Sequence, residues 1–200
     1  LTANGYSLTG WTFQGWATTA NGSIVYENLE EVKNLSSVAG GSVTLYAVWK
    51  ANTYTIIYNK NKPSTASGTV TGTTGNSTHT YDVSKQLTTN GYSLIGWTFQ
   101  GWSTTASGSV DFDNNKSVQN LSSVAGGSVT LYAVWKENTY TIIYDKNKPS
   151  TASEIVTGTT DSSTHTYDVL KELTLNGYSL IGWTFQGWST TANGSVVYEN

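Results

Sequence analysis

Apolar and polar positions alternate with a period of two through several short stretches of this chain, each bounded by glycine, proline, asparagine or serine. In Thr53–Asn59 (TYTIIYN) the alternation puts Tyr54, Ile56 and Tyr58 on one face, and β-branched and aromatic side chains fill the segment. It reads as a strand. Lys60–Ser64 (KNKPS) ends it, because proline has no N–H to give to a ladder. The Ser/Thr/Gly tract through Gly75 reads as a loop or a loose edge. From Thr78 the alternation resumes and places Tyr81, Val83 and Leu87 together, and Asn90-Gly91 reads as a turn of the type I′ hairpin kind. Gly96–Trp102 (GWTFQGW) and Ser128–Trp135 (SVTLYAVW) are further strands, while Asn114–Ser123 reads as one short helical turn. The sum is about four strands per unit with minimal helix, a mainly β chain.

The pattern recurs. LTANGYSLTGWTFQGW at Leu1 returns with few changes at Leu87 and at Leu173, an interval of 86 residues each time. GGSVTLYAVWK at Gly40 returns at Gly126, and NTYTIIY at Asn52 returns at Asn138, at the same interval. The chain therefore divides into the C-terminal part of one repeat (residues 1–50), a complete repeat (51–136) and the N-terminal part of another (137–200). Aromatic positions stay fixed between copies: Trp11, Trp97 and Trp183; Trp16, Trp102 and Trp188; Tyr46 and Tyr132; Trp49 and Trp135; Tyr54 and Tyr140. Charged positions drift, with Asn59 becoming Asp145, Gly68 becoming Glu154 and Glu30 becoming Lys116. A fixed aromatic core under a tolerant solvated face explains both.

Charge narrows the function classes. Net charge is −3, only 12% of residues are charged, and every basic residue is lysine, so neither nucleic acid nor an anionic lipid surface has a footprint to bind. No apolar run approaches the roughly 18 residues of a membrane helix, so no membrane insertion is expected. Cysteine is absent, which removes disulfides, thiol nucleophiles and thiolate metal sites.

Three strand cores together resemble a known family. Gly96-Trp97-Thr98-Phe99-Gln100-Gly101-Trp102, then Leu131-Tyr132-Ala133-Val134-Trp135, then the Asn52–Tyr58 opening strand are similar to the Listeria–Bacteroides repeat, the internalin B-type B-repeat. Trp97 stands where the family has tyrosine, and the Ser/Thr loop from Ser64 to Thr78 stands where many members have a short Gly-Gly turn. The resemblance implies tandem β-grasp-like repeats in secreted or wall-attached proteins, and the 86-residue unit read from the periodicity is longer than is usual for that family.

Candidate chemistry is sparse. His79 and His165 are one position seen twice, and an active site gathers unlike groups at one place, so a structural role is the better reading. Asp82 and Asp168, three residues beyond, fall on the opposite strand face by period two. Asp111-Phe112-Asp113-Asn114-Asn115 opens like a calcium loop, yet Lys116 and Ser122 stand where such a loop needs glycine and glutamate. A solvated turn is favoured over an ion site. Sequons at Asn21, Asn34, Asn76, Asn115, Asn120 and Asn193 are no more than the composition supplies. Lys85 and Lys171 share strand parity with the apolar positions; a lysine so placed can crosslink to an asparagine or simply snorkel to solvent.

No catalytic, cofactor-binding or metal residue is therefore assigned, and no enzyme activity or cofactor is expected. The chain is read as a structural tandem-repeat segment of an extracellular or cell-surface fibre protein, a stalk, spacer or filament subunit whose partners are neighbouring repeats of the same or adjacent chains. The alternative is an adhesive array that binds glycan or protein ligands through its aromatic residues. Exposure of Trp97, Trp102 and Trp135 discriminates the two.

Overall fold

Tyr54, Ile56 and Tyr58 do share one buried face, and the main sheet is built around the strand that carries them. The computed structural model describes residues 1–199, which hold fourteen strands and no helix. In the first partial repeat β1 (Trp11–Ala17) pairs antiparallel with β2 (Tyr46–Ala51). The complete repeat holds β3 (Thr53–Asn59), β4 (Thr71–Gly72), β5 (Ser77–Thr80), β6 (Lys85–Gln86), β7 (Tyr92–Ser93), β8 (Trp97–Ser103), β9 (Ser117–Val118) and β10 (Ser128–Glu137). The last partial repeat holds β11 (Thr139–Ile142), β12 (Thr157–Gly158), β13 (Ser163–Thr166) and β14 (Tyr178–Ser179).

The complete repeat forms a four-stranded sheet in the order β5-β3-β10-β8. Its central pair, β3 and β10, is parallel over Ser128↔Thr55 to Tyr132↔Asn59, while β5 lies antiparallel to β3. Two-stranded ribbons β4–β7 and β6–β9 accompany the sheet. Tyr54, Ile56 and Tyr58 meet Leu131 and Ala133 of β10, Trp102 of β8, and Leu87 and Val118 in one apolar cluster. Trp102 is wholly buried, with Tyr58 and Phe99 rings 4.8 and 4.9 Å from its centroid. Aromatic contacts at these distances add to the area effect of burying so large a ring.

Hydrogen bonds explain why the core uses tyrosine. Tyr58 Oη accepts from the Thr88 amide at 2.7 Å and bonds Ser77 Oγ at 3.2 Å, and Tyr92 Oη donates to the Tyr58 carbonyl at 2.8 Å. A phenylalanine in either place would take this partner from a part-buried backbone group. Gly101, at φ 153°, lies where a Cβ would come within 2.5 Å of Val110 and 2.7 Å of the Phe112 carbonyl. Only glycine allows the short Trp102–Phe112 bridge that closes this bend.

Three local expectations are corrected. The alternation from Thr78 stops at Thr80, where the chain turns; Asp82 has φ 60°, Val83 is 53% exposed and only Leu87 reaches the core. Asn90-Gly91 is no type I′ hairpin, since neither residue has positive φ, and Tyr92–Ser93 pairs with Thr71–Gly72 instead. Asn90 caps its own turn, Oδ1 accepting from the Tyr92 amide and Nδ2 donating to the Tyr92 carbonyl. Asn114–Ser123 is no helical turn: Asn115 and Asn120 have φ near 60° and β9 pairs with β6 between them.

The chain folds as two compact units. Unit 1 comprises Leu1–Pro63, Val70–Ser93 and Phe99–Trp135; unit 2 comprises Ser64–Thr69, Leu94–Thr98 and Lys136–Asn200. Within unit 2, β11–β13 and β12–β14 repeat the pairings of β3–β5 and β4–β7. Beside β11 an open groove of about 1040 Å³, lined by Ile142, Tyr144, Phe185 and Trp188, leaves Phe185 partly exposed.

Candidate functional site

Where the sequence passes from one repeat to the next, the same set of contacts forms twice. In unit 1 the Asn52 amide donates to the Gly10 carbonyl at 2.8 Å, and the Tyr81 amide donates to the Asn52 carbonyl at 2.8 Å. Thr12 Oγ1 donates to Asn52 Oδ1, whose Nδ2 donates to the Ser123 carbonyl at 2.7 Å. Trp11 Nε1 donates to Asp82 Oδ2 at 2.9 Å. In unit 2 the Asn138 amide donates to the Gly96 carbonyl at 2.8 Å, the Tyr167 amide to the Asn138 carbonyl at 2.9 Å, and Thr98 Oγ1 to Asn138 Oδ1 at 2.6 Å. Trp97 Nε1 donates to Asp168 Oδ2 at 3.1 Å.

Each junction thus joins a Gly-Trp-Thr segment to an asparagine and a Tyr-Asp turn. Asp82 and Asp168 sit in the left-handed region, φ 60° and 59°, which a short carboxylate side chain tolerates better than most. Asp82 also exchanges two bonds with Asn120: its amide donates to Asn120 Oδ1 at 2.6 Å, and Asn120 Nδ2 donates to Oδ1 at 2.8 Å. Asp168 further accepts from the amide of Ser67 at 3.0 Å and from its hydroxyl. Bonds to a carboxylate are the stronger kind of hydrogen bond. Gly96, at φ 76°, lies under the Tyr167 ring so closely that a Cβ would stand 2.0 Å from it; Gly10 meets Tyr81 in the same way at 2.2 Å.

The other candidate groups are taken up by structural bonds. His79 is buried, stacks on Tyr54 at 5.6 Å and shares a 2.9 Å hydrogen bond with Ser77 Oγ through Nε2. Burial, aided by the charge on Lys85, holds its pKa below the ordinary histidine value. His165 repeats the arrangement with Tyr140 and Ser163. The aspartate three residues on is drawn away to the junction tryptophan, so histidine and acid are not brought together. Asp111 Oδ2 accepts from the Thr104 amide and hydroxyl, both at 2.7 Å, and these bonds lower its pKa. Among the described residues no group of three His, Cys, Asp or Glu could hold a metal ion.

Lys85 Nζ donates to the Thr78 carbonyl at 2.8 Å and Lys171 Nζ to the Thr164 carbonyl at 2.7 Å, and both lysines are exposed. Asn115 Oδ1 accepts from Thr89 Oγ1 and Asn120 bonds Asp82, so two of the sequon asparagines tie together distant segments of the chain. Of the proposed platform residues, Trp102 is wholly buried and Trp97 is 7% exposed. Trp135 is half-buried, packs on Phe99 at 5.8 Å and donates Nε1 to the Lys60 carbonyl at 2.9 Å. The junction itself was not anticipated. Its only signal in the sequence is that Trp11, Asn52 and Asp82 all recur at the 86-residue interval.

Comparison with known proteins gives consistent results. A family model for the Listeria-Bacteroides repeat domain matches residues 2–48, 54–134 and 140–200. Two proteins of Evansella cellulosilytica are similar to the chain. One, called a putative Gly-rich membrane protein, is 31% identical over 152 residues, which is 74% of this chain and 17% of that protein. The other, called a putative membrane protein, is 28% identical over 163 residues, 80% of this chain and 21% of that protein. The chain spans no more than these 17% and 21% of its curated relatives. No solved structure matches it.

Proposed function

The chain belongs to the Listeria–Bacteroides repeat domain family, and on that premise we propose that it is a structural spacer in a cell-surface or extracellular repeat protein. The observation that carries this reading is the junction. The same Gly-Trp-Thr, Asn and Tyr-Asp contacts form at both repeat boundaries, with Trp–Asp bonds of 2.9 and 3.1 Å. A chain that repeats its boundary contacts along with its core is organised for tandem linkage, and its partners are then neighbouring repeats. The β5-β3-β10-β8 order with a parallel central pair supports a β-grasp-like unit. The membrane-protein names of the Evansella relatives support a location at the cell surface. Among the described residues no helix is long and apolar enough to cross a membrane.

The adhesive alternative draws less support, because Trp102 is buried in the core and Trp97 is held at the junction. The test displays the chain between a surface anchor and a terminal epitope, with the number of 86-residue repeats varied. A spacer raises antibody access to the epitope in step with repeat number and leaves cell binding to glycan- and protein-coated surfaces at the level of the anchor alone. Saturable binding that is lost when exposed aromatics such as Tyr6 or Trp183 are replaced would favour the adhesive array.

A further inference from the structure

A spacer at a surface meets force along its chain, and the direction in which each repeat takes that force follows from its strand order. The complete repeat opens with β3 and closes with β10, and these two strands are hydrogen-bonded neighbours running parallel. Tension therefore pulls β3 by its N-terminal end, at Thr53, and β10 by its C-terminal end, at Glu137. Because the strands are parallel, those ends lie at opposite ends of the pair. The load slides one strand along the other.

Sliding loads the inter-strand bonds together. The pair is held over five facing positions, Ser128↔Thr55 to Tyr132↔Asn59. Two further bonds close its loaded end: the Gly126 amide to the Thr53 carbonyl at 2.8 Å, and the Thr55 amide to the Gly127 carbonyl at 2.9 Å. Core packing resists the same motion, since Tyr54, Ile56 and Tyr58 of β3 and Leu131 and Ala133 of β10 lie in one buried cluster. A load that opened the pair from one end would instead break these bonds one after another.

We infer that the β3–β10 pair is a tension-bearing clamp, so that each repeat is built to resist being drawn out along the chain. The inference rests on the spacer reading and adds to it the direction and the site of mechanical resistance.

The test uses the full chain with two handles on introduced cysteines, which are the only thiols because the chain has none of its own. Thr53→Cys with Lys136→Cys applies load across opposite ends of the pair. Thr53→Cys with Ala125→Cys applies it at one end, where Gly126 meets Thr53. All three positions are exposed, and the circular dichroism of both variants is checked against the parent first. Forced unfolding reports the barrier out of the native state, so the two rupture forces at one loading rate compare the two directions within one fold. The expected result is a rupture force several-fold higher for the Thr53/Lys136 pair. Equal forces, or a higher force for Thr53/Ala125, overturn the clamp and leave the spacer reading standing. Saturable ligand binding by the displayed array removes the spacer reading and leaves the force ratio as it is.

Discussion

The indole Nε1 of Trp97 donates a 3.1 Å hydrogen bond to Oδ2 of Asp168, 71 residues further along the chain, and Trp11 stands in the same relation to Asp82. A third tryptophan at the same repeat position, Trp183, is 49% exposed. Among the described residues, one side chain in one local sequence is therefore seen both bonded to a Tyr-Asp turn and exposed.

Gly96 and Gly182 extend the comparison. Both have φ 76°, but a Cβ on Gly96 would strike the Tyr167 ring while one on Gly182 meets nothing within 4 Å. Alanine at either site carries about 1–2 kcal/mol of left-handed strain. Gly96→Ala should cost about 1–3 kcal/mol beyond Gly182→Ala, from overpacking against the ring. Denaturant unfolding of the two variants measures the difference; equal losses would mean that Tyr167 is not seated on Gly96.

Core and surface separate in the same kind of experiment. Trp102→Ala removes a wholly buried ring in contact with Tyr58, Tyr92 and Phe99, and should cost about 3–5 kcal/mol. Glu154→Gly alters an exposed position that already carries glycine one repeat earlier, at Gly68, and should change stability by less than about 0.5 kcal/mol.

His79 predicts a pH dependence of definite sign. Its folded pKa lies below the ordinary 6.5, through burial first and the Lys85 charge second, so the unfolded chain takes up the proton more readily. Its contribution is complete above pH 6.5 and declines as pH falls from there through the folded pKa. The unfolding midpoint of the parent should drop in that window relative to His79→Phe, which keeps an aromatic ring against Tyr54 and cannot titrate. Parallel midpoint profiles for the two chains would contradict the assignment.

Much of the sheet was legible in the sequence, because strand alternation is a local signal. Tyr54, Ile56 and Tyr58 declared their common face by period two, and the constancy of Trp102 between copies marked the core. The segments that misled are those whose shape is set from a distance. Asp82 turns the chain out of the expected strand, and its partners, Trp11 and Asn120, lie 71 and 38 residues away. Asn90-Gly91 has the composition of a hairpin, yet Tyr92 pairs back to Gly72, where two backbones approach so closely that a Cβ on Gly72 would stand 2.0 Å from the Gly91 carbonyl. The junction was invisible for the same reason. Repetition showed that Trp97 and Asp168 matter equally in each copy, and only the fold shows that they matter to each other.

The junction can be read directly from the indole N–H signals of the tryptophans in a nitrogen-15 correlation spectrum, with their exchange against solvent. Trp11 and Trp97 should exchange slowly and Trp183 quickly. Asp168→Asn, which keeps the shape but removes the carboxylate, should shift and speed the Trp97 signal while leaving Trp11, bonded to Asp82, unchanged. If Trp11 and Trp97 exchange as fast as Trp183 in the parent chain, or if Asp168→Asn leaves Trp97 untouched, the Trp–Asp bonds do not join the repeats and the account fails.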